Sequence, residues 1–130
     1  MHKNSIIVLV ILLFVRVSSG QSDQLARNYF DQGQYEKAEL SYKKALNRKP
    51  NDAKLILGYV ATLQQLEKYE DARFYLENVI SRLSFNEVYL VELGYNHQLQ
   101  QQDSIANSYY NQAIDPVSYT HLTLPTTPYV

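Results

Sequence analysis

Apolar and polar positions along the middle of this chain repeat on two scales. On the short scale, Ala38, Tyr42 and Ala45 fall at i, i+4 and i+7, which places them on one face of a helix. Leu25 and Tyr29 before them, then Ile56, Tyr59 and Leu63, then Leu90, Leu93 and His97 also recur at helical spacing. On the long scale the pattern returns after 34 residues: Tyr35 maps onto Tyr69, Ala38 onto Ala72, Tyr42 onto Leu76, Ala45 onto Val79 and Leu46 onto Ile80. One further period brings Ala106, Tyr110, Ala113 and Ile114. Each period therefore holds two helices joined by a short polar turn, at Asp31-Gln32-Gly33, Glu67-Lys68 and Gln101-Gln102. Gly33 suits a residue with positive φ just past a helix, and Pro50 stops a helix whose last turn, Arg48-Lys49, is basic. A return at one fixed period marks a helical-repeat array, which an unrelated antiparallel bundle would not need. The expected fold is all-α, a helical-hairpin repeat solenoid of about three units at approximately 21–52, 53–86 and 87–116.

This pattern resembles the tetratricopeptide repeat over roughly Gln21 to Asp115. That family repeats every 34 residues, with small residues in three slots and large ones between them. Ala26, Ala38 and Ala45 take the small slots of the first copy, with Leu25, Tyr29, Tyr35 and Tyr42 in large ones. Gly94, Ala106 and Ala113 take the small slots of the third copy. The sequence departs from the pattern at Ser22, Val60, Val79, Ser84 and Asp103. The resemblance implies that the first helix of each pair lines a concave groove. The groove-facing positions are Asp23, Arg27 and Phe30, then Lys54, Leu57, Ala61 and Gln64, then Val88, Val91, Tyr95 and Gln98. Of these, Arg27, Lys54, Leu57, Ala61, Gln64, Val91, Tyr95 and Gln98 are the expected partner-binding residues. Some family members clamp a peptide's terminal carboxylate with Lys and Asn; Asp23 and Arg27 stand at those positions, so that clamp is not implied. An apolar strip of Leu57, Val91 and Tyr95 flanked by Arg27 and Lys54 suits an extended or helical peptide with an apolar anchor and acidic neighbours.

The two ends follow other patterns. Met1-His2-Lys3-Asn4 is short and basic, Ile6 to Val15 is unbroken apolar, and Ser18-Ser19-Gly20 is small, the order of a secretory signal peptide cut before Gln21. The apolar run is short for a membrane span, which needs about 20 apolar residues. A retained N-terminal anchor is the alternative, because Arg16 interrupts the small-residue end. The expected location is thus exported: periplasmic, envelope-bound or secreted. At the other end the helical pattern stops at Asp115-Pro116. Val117 to Thr126 then reads, residue for residue, like a translated sequencing adapter, so 117–130 is expected to be a non-native or disordered tail on an N-terminal fragment.

Composition narrows the function classes. There are no cysteines, so neither a disulfide framework nor a thiolate metal site is possible, and no lipid-bearing cysteine follows the apolar run. Outside the leader, 10 basic side chains face 13 acidic ones, with no arginine-rich stripe, which argues against nucleic acid. Candidate chemistry is sparse. Of the three histidines, His2 lies in the leader and His121 in the tail; His97, in a large repeat slot, reads as a packed core histidine rather than a ligand. No zinc-protease motif, phosphate loop or nucleophile elbow appears. Glu39 and Lys43 read as an i, i+4 pair on an exposed helix face. Tyr29, Tyr35, Tyr42, Tyr59, Tyr69 and Tyr110 fall in repeat slots; Tyr75, Tyr89, Tyr95 and Tyr109 do not. The expected function is a non-enzymatic protein–protein interaction scaffold without cofactor or metal. The alternative is the N-terminal repeat region of a larger envelope enzyme or assembly factor.

Overall fold

The computed structural model of the chain describes residues 22–115; the leader-like start and the tail lie outside that range. The described residues form six helices and no strand: α1 (22–31), α2 (Tyr35–Arg48), α3 (Ala53–Gln65), α4 (Tyr69–Arg82), α5 (Glu87–Leu99) and α6 (Asp103–Ile114). They belong to two compact units, one ending at Thr62 and the other beginning at Leu63.

The repeat shows first in the backbone. Gly33, Glu67 and Gln101 stand 34 residues apart, and all three have positive φ, at 73°, 57° and 60°. At each of these sites the same pair of hydrogen bonds closes the preceding helix. Gly33 N–H donates to Phe30 O (2.9 Å) and Gln34 N–H to Tyr29 O (2.8 Å). Glu67 and Lys68 make the equivalent bonds to Gln64 and Leu63, as do Gln101 and Gln102 to Gln98 and His97. This is the Schellman closure, in which a left-handed residue turns two amides back onto orphan carbonyls. The next helix then starts alike in all three copies: the amides of Ala38, Ala72 and Ala106 donate to the carbonyls of Gln34, Lys68 and Gln102, each at 3.0 Å.

In the first unit, α1 and α2 form a hairpin tied at both ends. Beside the turn, Phe30 and Tyr35 meet edge to face at 5.4 Å. At the open end, Lys49 Nζ pairs with Asp23 Oδ2 at 2.9 Å, and Arg48 donates to the Ser22 hydroxyl. Asp52 Oδ1 then caps α3 by accepting the Leu55 N–H at 3.1 Å. Ala26, Ala38, Ala45, Ile56 and Val60 are fully buried, so the small slots do lie where helices meet. A close approach occurs at Gly58, where a Cβ would stand 2.5 Å from the Tyr42 ring. The ring of α2 therefore rests on the bare backbone of α3.

In the second unit, α5 packs on both α4 and α6. Leu63, Ala72, Leu76, Val79, Leu93 and Ala106 form its buried centre. Gly94 repeats the Gly58 device, with a Cβ position 2.5 Å from the Tyr110 ring. Asn96 is fully buried in α5, and its Nδ2 donates to the Tyr69 carbonyl at the start of α4, at 2.9 Å. His97 is buried, stacked on Tyr109 with centroids 5.4 Å apart, and its Nδ1 contacts Gln102 Oε1 at 2.7 Å. The core reading of His97 holds.

Two expectations need correction. Leu25, assigned to a large core slot, is exposed on the first turns of α1. Glu39 is buried rather than on an exposed face, although its ion pair with Lys43 is present at 3.1 Å. The buried carboxylate therefore depends more on its lysine than a solvated pair would. Of the tyrosines that fit no repeat slot, Tyr89 and Tyr109 are buried core residues and Tyr95 is exposed.

Candidate functional site

Four of the eight expected binding residues gather in one place within the first unit. Arg27 from α1 and Lys54, Leu57 and Ala61 from α3 line a hollow of about 350 Å³, together with Phe30, Tyr42 and Gly58. Tyr42 is buried there, and Gly58 explains how: only a residue without Cβ lets the ring lie this low between the helices. Burial pushes the Tyr42 phenol above its ordinary range, partly opposed by the Arg27 cation and reinforced by Asp31. A second hollow, of about 290 Å³, shares Arg27, Tyr42 and Lys54 with the first and adds Asp23, Gln24, Asp52 and Leu55.

The two cations are differently engaged. Arg27 holds Asp31 on its own helix at 3.4 Å, with both side chains largely in solvent. Such an exposed pair contributes little to stability. Lys54 has no ion-pair partner among the described residues. Asp23 gives one oxygen to Lys49; its Oδ1 is buried without a hydrogen-bond partner among the described residues. The hollow thus joins apolar walls (Phe30, Leu57, Ala61) to a positively charged edge.

The other four candidates lie in the second unit. Val91 and Tyr95 are exposed on α5. Gln98, on the same helix, accepts the Tyr110 hydroxyl at 2.7 Å. Gln64 is only 8% exposed, and its Nε2 has no hydrogen-bond partner among the described residues. The groove register predicted an accessible amide at this position. The structure instead places Gln64 in the last turn of α3, its carbonyl taking the Glu67 amide at the closing turn.

Tyr42 and Gly58 were not singled out by the groove register, which follows first-helix positions alone. Gly58 had a signal: an isolated glycine inside a helical pattern costs about 1 kcal/mol against alanine and so points to a close packing contact. No cluster of three or more His, Asp or Glu that could hold a metal occurs among the described residues. Nor is any described helix long and apolar enough to cross a membrane.

Paired helices, identical closing turns at a fixed 34-residue interval and small residues at the helix contacts define a helical-hairpin repeat protein. Residues 29–86 match the family model for the tetratricopeptide repeat, so that stretch carries repeats of the family. Among curated proteins, none matches the sequence. Repeats of this family generally mediate protein–protein interaction and typically serve as non-enzymatic scaffolds.

Proposed function

We propose that the chain is a non-enzymatic interaction scaffold that binds a peptide or protein segment on the first helices of its repeats. The observation that carries this reading is the hollow of the first unit, where Arg27, Phe30, Lys54, Leu57 and Ala61 converge over Tyr42. An apolar side chain of the ligand fills the space between Phe30, Leu57 and Ala61. An acidic neighbour pairs with Lys54, the cation that has no ion-pair partner among the described residues. In the second unit, taken by itself, Val91, Tyr95 and Gln98 on α5 offer a contact surface of their own. Arg and Tyr are favoured in such roles because each combines a large contact area with a polar group. The leader-like start supports an exported scaffold that meets its partner in the cell envelope or outside the cell.

The test compares two baits spanning residues 21–115, one native and one carrying Leu57→Asp with Lys54→Glu, both first checked for intact helicity by circular dichroism. The native bait should enrich a set of proteins from envelope extract that the variant loses. If both recover the same set equally, the first-helix hollow is not the binding surface.

A further inference from the structure

The sequence of α5 leaves one of its faces apolar and open. Val88, Val91, Tyr95 and Leu99 follow one another at i, i+3, i+7 and i+11 and share a side of the helix, and they are between 37% and 46% exposed. Glu92, at i+4, falls within the same arc. Its carboxylate has no hydrogen bond or ion pair among the described residues. No cation is available nearby, because α5 and α6 contain no lysine or arginine. Their carboxylates are Glu87, Glu92 and Asp103. The three lysine and arginine side chains of the second unit, Lys68, Arg73 and Arg82, lie on or just before α4, and Arg73 already bridges Glu70 and Glu77. Burial among its apolar neighbours holds the Glu92 carboxyl above its ordinary range, with no opposing charge to bring it down.

We propose that this α5 face docks an apolar segment of a partner protein that carries a lysine or arginine, with Glu92 pairing to that cation. The inference rests on the reading of the first helices as binding faces and names the partner chemistry at this one. A bare aliphatic stripe would accept any apolar segment. An unpaired carboxylate in the middle of it selects by charge, because a cation arriving there gains a partner and an acid arriving there meets repulsion in a partly desolvated site. The preference is opposite in sign to that of the first-unit hollow, whose edge is formed by Arg27 and Lys54.

The probes are short leucine–serine peptides, fluorescently labelled and identical except for one central residue: lysine, glutamine or glutamate. Their binding to the full chain is followed by anisotropy. The lysine peptide should bind about tenfold more tightly than the glutamate peptide, a difference of about 1.4 kcal/mol. Glu92→Gln should abolish that preference and Glu92→Lys should invert it, while Tyr95→Asp should weaken all three peptides. Circular dichroism checks that each variant keeps its helicity. A peptide order unchanged in Glu92→Lys overturns the proposal, as does a lysine-peptide affinity untouched by Tyr95→Asp. Self-association of the native chain that Tyr95→Asp removes also overturns it, by assigning the face to a second copy. Lys54→Glu separates the two readings. If it alone alters peptide binding, the first-unit hollow stands and the α5 proposal falls; if neither Lys54 nor Glu92 matters, both fall.

Discussion

Left-handed backbone at three equivalent turns has unequal energetic consequences, because only one of the three residues is glycine. An L-residue in that conformation carries roughly 1–2 kcal/mol of strain from its Cβ. Glu67 and Gln101 bear this strain, and Gly33 does not. Gly33→Ala should therefore lower stability by about 1 kcal/mol, while Gln101→Gly should leave it unchanged or raise it by up to about 1 kcal/mol. Urea midpoints measure both, and equal losses for the two variants would mean that the turns are not equivalent. The Tyr42–Gly58 contact gives a second prediction. Gly58→Ala adds a methyl where the ring already lies and should cost about 1–3 kcal/mol. In a Tyr42→Ala background the same change should instead stabilise by about 1 kcal/mol, since only the helix preference of alanine remains. The location of the first turn was legible from Gly33. Positive φ at Glu67 and Gln101 was legible only through the period, because neither residue type favours that conformation. The Tyr42 floor of the hollow was not read at all, because the glycine that admits it belongs to a different helix.

Single polar groups hold some of the helices in place. Asn96 is buried in α5 and its amide reaches the carbonyl that begins α4. Removing it leaves that bond unmade and a cavity behind, so Asn96→Ala should destabilise the chain by about 1–3 kcal/mol. Thermal unfolding would show this as a clear drop in Tm; an unchanged Tm would mean that the bond contributes nothing. Charge acts on α5 in the opposite direction. Burial raises the Glu92 carboxyl above its unfolded value, so ionising it opposes folding. That contribution to stability is full below the ordinary carboxylate range and is lost as pH rises through the raised value. Glu92→Gln should therefore stabilise the chain at pH 7, and the gain should vanish by about pH 4. A gain that persists at acidic pH would point to packing instead of ionisation. On α4 the sign reverses: the Arg73 hydrogen bond lowers the Glu70 carboxyl, so that pair supports folding at neutral pH and weakens in acid. The helices themselves were legible from periodicity, since slot alanines mark the contacts. Asn96 was not, because a buried asparagine looks like any polar residue until its partner carbonyl is placed.

At the scale of the whole molecule, the repeat fixes the class of structure and leaves the ligand to the surface. First helices closed by the same turn carry different faces: Arg27 of α1 and Lys54 of α3 edge the first-unit hollow, whereas Glu92 interrupts the apolar face of α5. Of the groove register read from the sequence, Arg27, Lys54, Leu57 and Ala61 line one hollow, because their positions follow helix geometry alone. The register misjudged Gln64, because burial at the end of a helix depends on the neighbouring turn as well as on the position within the repeat. The central claim is that the hollow between α1, α2 and α3 receives a ligand side chain. The most direct measurement is amide chemical-shift mapping on the labelled full chain, titrated with a peptide selected by display against it. Shifts should concentrate at Arg27, Phe30, Lys54, Leu57 and Ala61, and Leu57→Asp should erase them. Shifts confined to the outer faces of α2 and α4, with this hollow silent, would contradict the account.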